Sequence, residues 1–71
     1  MNDEEYKVLK VLWKSGGVLD QAALLKRFSK EILEKLDEKG LVIYIPNTDE
    51  YFLSDTGDLF LKDEMERRKD G

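Results

Sequence analysis

The chain has 71 residues, 41% of them hydrophobic and 39% charged, and its 12 Lys and Arg against 16 Asp and Glu leave a net charge of −4. A chain of this size is at most one domain with a compact core, and its apolar content is too high for a disordered segment. With no Cys and no His there is no disulfide framework, no thiolate or imidazole chemistry and no Cys or His metal ligand, and no apolar run approaches the roughly 18 residues of a membrane span.

What remains, from composition alone, is a small soluble cytoplasmic domain. The expectation is no enzyme activity, no cofactor, no metal, no membrane association and no small-molecule substrate. A dedicated nucleic-acid binder is usually basic on at least one face, so any phosphate contact must come from a local patch.

The first helix is expected over residues 2–15. Val8, Leu9, Val11, Leu12 and Trp13 cluster at helical spacing, with Lys7, Lys10 and Lys14 on the other face. Trp13 is read as a core residue. Asn2 is the expected N-cap, with Glu5 three residues later completing a capping box and Met1 and Tyr6 placed as a hydrophobic staple. Gly16 and Gly17 end the helix.

Val18 and Leu19 are too few to be more than a bridge. Asp20 is the next expected N-cap, opening a second helix over residues 21–27 with Leu19 and Leu24 as its staple. Ser29 then caps a third helix over residues 30–39. Its buried stripe is Ile32, Leu33 and Leu36, and Gly40 stands just past its end as a left-handed cap.

From Leu41 the period changes. Leu41, Val42, Ile43, Tyr44 and Ile45 are apolar, mostly β-branched or aromatic, and read as a strand; Pro46, Asn47, Thr48 and Asp49 carry turn chemistry; Glu50, Tyr51, Phe52 and Leu53 read as the returning strand. Ser54 or Asp55 caps a short last helix through Leu59, Phe60 and Leu61 toward Met65. Residues 1–66 are the expected domain, and residues 67–71 a charged, frayed tail. The fold class is mainly α with a small β-hairpin: a three-helix core, a two-stranded wing and a short closing helix.

Two phrases carry a family resemblance over nearly the whole chain. One is Leu33-x-x-Leu36-x-x-Lys39-Gly40-Leu41-Val42; the other is Tyr51-Phe52-Leu53-Ser54-Asp55-Thr56-Gly57. The element order with these phrases resembles the winged helix-turn-helix superfamily. The first helix, with Val11-Leu12-Trp13-x-x-Gly16-Gly17, is similar to small repressors of the penicillinase-repressor type. The resemblance implies a DNA-binding transcriptional regulator in which helices two and three form the helix-turn-helix. The third helix would enter the major groove, the wing would touch the neighbouring backbone, and dimerisation would use the first or last helix.

Carried onto this chain, that mechanism assigns double-stranded DNA to Lys26, Arg27, Ser29, Lys30, Glu31, Glu34, Lys35, Asn47 and Thr48. Lys26 and Arg27 would anchor phosphates, Lys30, Glu31, Glu34 and Lys35 would face bases or phosphates, and Asn47 and Thr48 would approach the backbone from the wing tip. The sequence departs from the pattern here. Between Ser29 and Gly40 there are three cations, Lys30, Lys35 and Lys39, against four acids, Glu31, Glu34, Asp37 and Glu38. No Arg, Asn or Gln is present in that stretch for bidentate base reading, and the wing tip has no cation. Solvated pairs of Lys30 with Glu34 and of Glu31 with Lys35 are the bland reading of the same residues.

The wing strands are apolar on both faces, so a helical core that covers one face leaves the other open. This supports an alternative: a protein-interaction or dimerisation module, with Ile43, Ile45 and Phe52 on the wing and Phe60 and Met65 on the last helix. Base stacking on Tyr51 and Phe52 would need cations beside them, which are missing. Asp49, Glu50, Asp55 and Asp58 lack the alternating oxygen ligands and central Gly of a calcium loop.

Overall fold

The computed structural model describes residues 2–68. They form α1 (Asp3–Lys14), β1 (Val18–Asp20), α2 (Gln21–Leu25), α3 (Lys30–Glu38), β2 (Val42–Ile45), β3 (Glu50–Leu53) and α4 (Asp55–Arg68). The protein is mainly helical, with one antiparallel sheet of three strands in the order β1-β3-β2.

Local chemistry sets most of the boundaries. The Asn2 side chain accepts from the Glu5 N–H at 2.8 Å, and the Asn2 N–H donates to the Glu5 carboxylate at 3.3 Å, so the capping box of α1 is complete. Its proposed staple partner Met1 lies outside the described residues. Ser29 Oγ accepts from the Ile32 N–H at 3.3 Å and caps α3. Gly40 follows with φ 76°, the left-handed conformation that a Cβ would disfavour. Ser54, not Asp55, caps α4: its Oγ accepts from the Gly57 N–H at 2.9 Å and donates to the Gly40 carbonyl at 2.6 Å.

Four features depart from the sequence reading. First, Val18–Asp20 is a true strand, registered Val18 to Phe52, Leu19 to Tyr51 and Asp20 to Glu50, so the sheet has three strands, not two. Three residues are too few to show a strand period, and β1 exists because β3 offers a free edge. Second, α2 stops at Leu25, and Asp20 occupies its N-cap position without a side-chain capping bond.

Third, α4 is the longest helix among the described residues, with 14 residues, and includes Arg67 and Arg68 of the expected tail; residues 69–71 of that tail lie outside the described residues. Side-chain pairs hold its last turn. Arg68 bonds Glu64 and Asp3, both at 2.9 Å, and its guanidinium lies 4.2 Å from the Tyr6 ring centroid. Fourth, Trp13 is 41% exposed and is not in the core. α1 buries Glu5, Tyr6, Val8, Leu9 and Leu12, and Trp13, in its last turn, lies about 100° around the axis from Leu12.

The core lies between the helices and the inner sheet face. Leu9 and Leu12 of α1, Leu33 and Leu36 of α3, Val42 of β2 and Leu61 of α4 are fully buried together. Tyr44 and Tyr51, cross-strand partners, pack ring against tilted ring at a centroid distance of 4.9 Å on that inner face. Gly57 is a tight junction: a Cβ there would run into the Leu41 carbonyl, so the first turn of α4 meets the link between α3 and β2 where only hydrogen fits. Among the described residues no helix is long and apolar enough to cross a membrane.

Candidate nucleic-acid and partner interfaces

On α3, burial of Ile32, Leu33 and Leu36 turns Lys30, Glu31, Glu34 and Lys35 outward, and all four are exposed. Acids dominate this face. Glu31, Glu34, Asp37 and Glu38 surround one shallow hollow with Lys35, and Glu34 and Asp37 line a second with Lys30, Gln21, Tyr44 and Tyr51. Among the described residues no ion pair joins Lys30 to Glu34 or Glu31 to Lys35. Water competes well for such exposed groups. The i,i+4 pairs form on α4 instead, as in Lys62 with Asp58 at 2.9 Å and Arg67 with Asp63 at 3.1 Å.

The turn between β2 and β3 is anionic and anchored. Asp49 adopts φ 56°, and its carboxylate accepts from the Tyr44 hydroxyl and from Gln21 Nε2 at 3.0 Å. The Asp49 carbonyl also accepts from the Gln21 N–H at 2.8 Å. The Asp49 bond, with desolvation behind it, pushes the Tyr44 hydroxyl above its ordinary pKa. Asn47 and Thr48 are exposed on this turn. The Asp49 to Gln21 tether is absent from the sequence reading; the tolerance of Asp for left-handed backbone was its only local signal.

Lys26, Arg27 and Lys30 flank the α2–α3 turn, all exposed, with Ser29 between them. Arg27 leans over the Phe28 ring at 5.8 Å from the centroid. It faces Lys7, Lys10 and Lys14 of α1 across an open groove. These α1 lysines read in sequence only as a polar face, because nothing local shows that the turn folds beside them.

The outer face of the sheet is open. Ile43 is 48% exposed and Phe52 40%, and strand register sets them side by side in a row that Val18 of β1 extends. With half-buried Ile45, they line a groove of about 500 Å³ bordered by Thr48, Glu50 and Asp55. Phe60 and Met65 do not line this groove. Phe60 lines a hollow with Glu5, Lys39 and Arg67, and Met65 is partly buried against the core.

Among the described residues one carboxylate is buried. Glu5 is 3% exposed, and Lys39 Nζ reaches its Oε2 at 2.6 Å from the end of α3. Burial alone would raise the Glu5 pKa, but the Lys39 ammonium and the Asn2 N–H outweigh it and hold the carboxyl below its usual range. This is a structural pair joining α1 to α3. Among the described residues no group of three or more His, Cys, Asp or Glu could hold a metal ion.

Compared with protein-family models, with curated proteins and with solved structures, the chain matches none.

Proposed function

We propose that this chain is a winged helix-turn-helix protein that binds double-stranded DNA, acting in transcriptional regulation by binding and not by catalysis. The order α1-β1-α2-α3-β2-β3-α4, with β3 central in the sheet, supports the winged-helix reading. The observation that carries the DNA reading is the set of exposed cations Lys26, Arg27 and Lys30 at the α2–α3 turn. Among the described residues none of them has an ion-pair partner. Beside them the α3 N-terminus carries the partial positive charge that favours phosphate.

The acidic outer face of α3 makes this binding backbone-led and weakly selective among sequences. Affinity for a short random duplex should fall steeply with salt, and Lys26→Glu with Lys30→Glu should weaken it further. A wild-type protein that ignores duplex DNA even at low salt would overturn the reading.

A second reading rests on Ile43 and Phe52. Two large apolar side chains exposed in one row of a sheet suit a protein partner or a second copy. Such a complex should tolerate salt and should be lost on Ile43→Glu or Phe52→Glu.

A further inference from the structure

We infer that the groove between α1 and the α2–α3 turn is a binding site for the phosphate backbone of a DNA duplex, and that it, not the outer face of α3, supplies most of the electrostatic attraction. This rests on the DNA-binding reading above and moves its anchor to a different helix.

The groove has a volume of about 480 Å³ and is lined by Lys7, Lys10, Lys14 and Arg27, with Val11 and Phe28 between them. Among the described residues no carboxylate lines it. The hollow on α3 is the reverse, with four carboxylates around one lysine. A polyanion approaching this protein therefore meets repulsion over α3 and attraction over α1.

The spacing suits a phosphate chain. Lys7, Lys10 and Lys14 follow at intervals of three and four residues, so they stand in one stripe along α1. Lys7 and Lys14 are about 10 Å apart along the helix axis. Measured along a duplex axis, that is about three steps of the roughly 3.4 Å rise per phosphate of one strand. Lys7 and Lys14 are exposed, and among the described residues neither has an ion-pair partner.

Arg27 stands on the opposite wall. Its guanidinium lies over the Phe28 ring, and Phe28 packs against the core, so the group has a stacked, oriented setting from which to grip a phosphate in a bidentate way. Phosphate contacts carry no base sequence, so the groove confers affinity and register without selectivity.

The test is fluorescence anisotropy of a labelled random-sequence duplex titrated with the whole chain at several salt concentrations. Lys7→Glu/Lys14→Glu should weaken binding at low salt by about tenfold or more and lower the slope of log affinity against log salt by about 2. Lys30→Glu/Lys35→Glu should change both by less. Should the α1 variant bind like wild type while the α3 variant loses binding, the groove is wrong and the DNA reading stands. Should wild type show no binding at any salt, both fall. An NMR titration of the unmutated protein with the same duplex gives a check that needs no variant to fold. Val11 and Phe28 signals should shift more than those of Glu31 and Glu34, and the opposite order would sink the groove.

Discussion

Lys39 Nζ lies 2.6 Å from a carboxylate of Glu5 that is almost wholly withdrawn from solvent, and this contact joins the first turn of α1 to the end of α3. The same Glu5 closes the capping box with Asn2, so one side chain serves both a helix end and a tertiary junction. Lys39 is 54% exposed, which lets water partly replace it.

The pair predicts an acid limb in the stability curve. The folded pKa of Glu5 is lowered, so its contribution is fully present above the unfolded value near 4.5 and is lost as pH falls through the folded one. Denaturant melts at stepped pH should show stability dropping below about pH 4.5, and Glu5→Gln should flatten that limb. Lys39→Ala should cost about 1–2 kcal/mol at neutral pH, discounted for the exposure of the ammonium.

Gly57 offers a test whose sign is opposite to helix propensity. In an ordinary helix interior Gly→Ala stabilises by about 1 kcal/mol. Here the added methyl meets the Leu41 carbonyl, so Gly57→Ala should destabilise by about 3 kcal/mol in urea melts. An unchanged or higher midpoint would mean that α4 does not approach Leu41 this closely.

Arg68 should matter although it stands at the end of its helix. It holds Asp3, Glu64 and the face of Tyr6 together, joining the start of α1 to the last turn of α4. Arg68→Ala should lower the thermal midpoint, more so at low salt than at high. Arg67→Ala, whose pair with Asp63 stays within one helix, should lower it less.

Trp13 gives an optical check. At 41% exposure its indole should be quenched by acrylamide in the folded protein, and its emission should shift little on unfolding. A strongly blue emission that shifts red in urea would return Trp13 to the core.

Much of the architecture was legible because it depends on neighbours in sequence. Asn2, Ser29 and Gly40 marked helix ends by their own capping chemistry, and the strand pair Val42–Ile45 and Glu50–Leu53 followed from β-branched and aromatic residues around a turn. The exposure of Ile43 and Phe52 followed from a hairpin apolar on both faces. What local pattern could not carry was long-range. β1 depends on a partner thirty or more residues away, and no local pattern shows that the α2–α3 turn packs beside Lys7 and Lys14. Trp13 is apolar and close in helical angle to buried Tyr6, so nothing local in α1 marks it as exposed.

The central place of β3 also orders events in time. Its pairing with β2 closes a short local loop, whereas its pairing with β1 joins Val18 to Phe52 and encloses α2, α3 and β2. Loop-closure entropy favours forming the hairpin first and seating β1 last. β1 is then the clasp of a large loop, and its release is the least costly partial opening of the molecule. Native-state hydrogen exchange should therefore show the Leu53 N–H, bonded to the Gly17 carbonyl, exchanging before the Ser54 N–H, bonded to the Leu41 carbonyl. Two adjacent amides would thus report two different unfolding events.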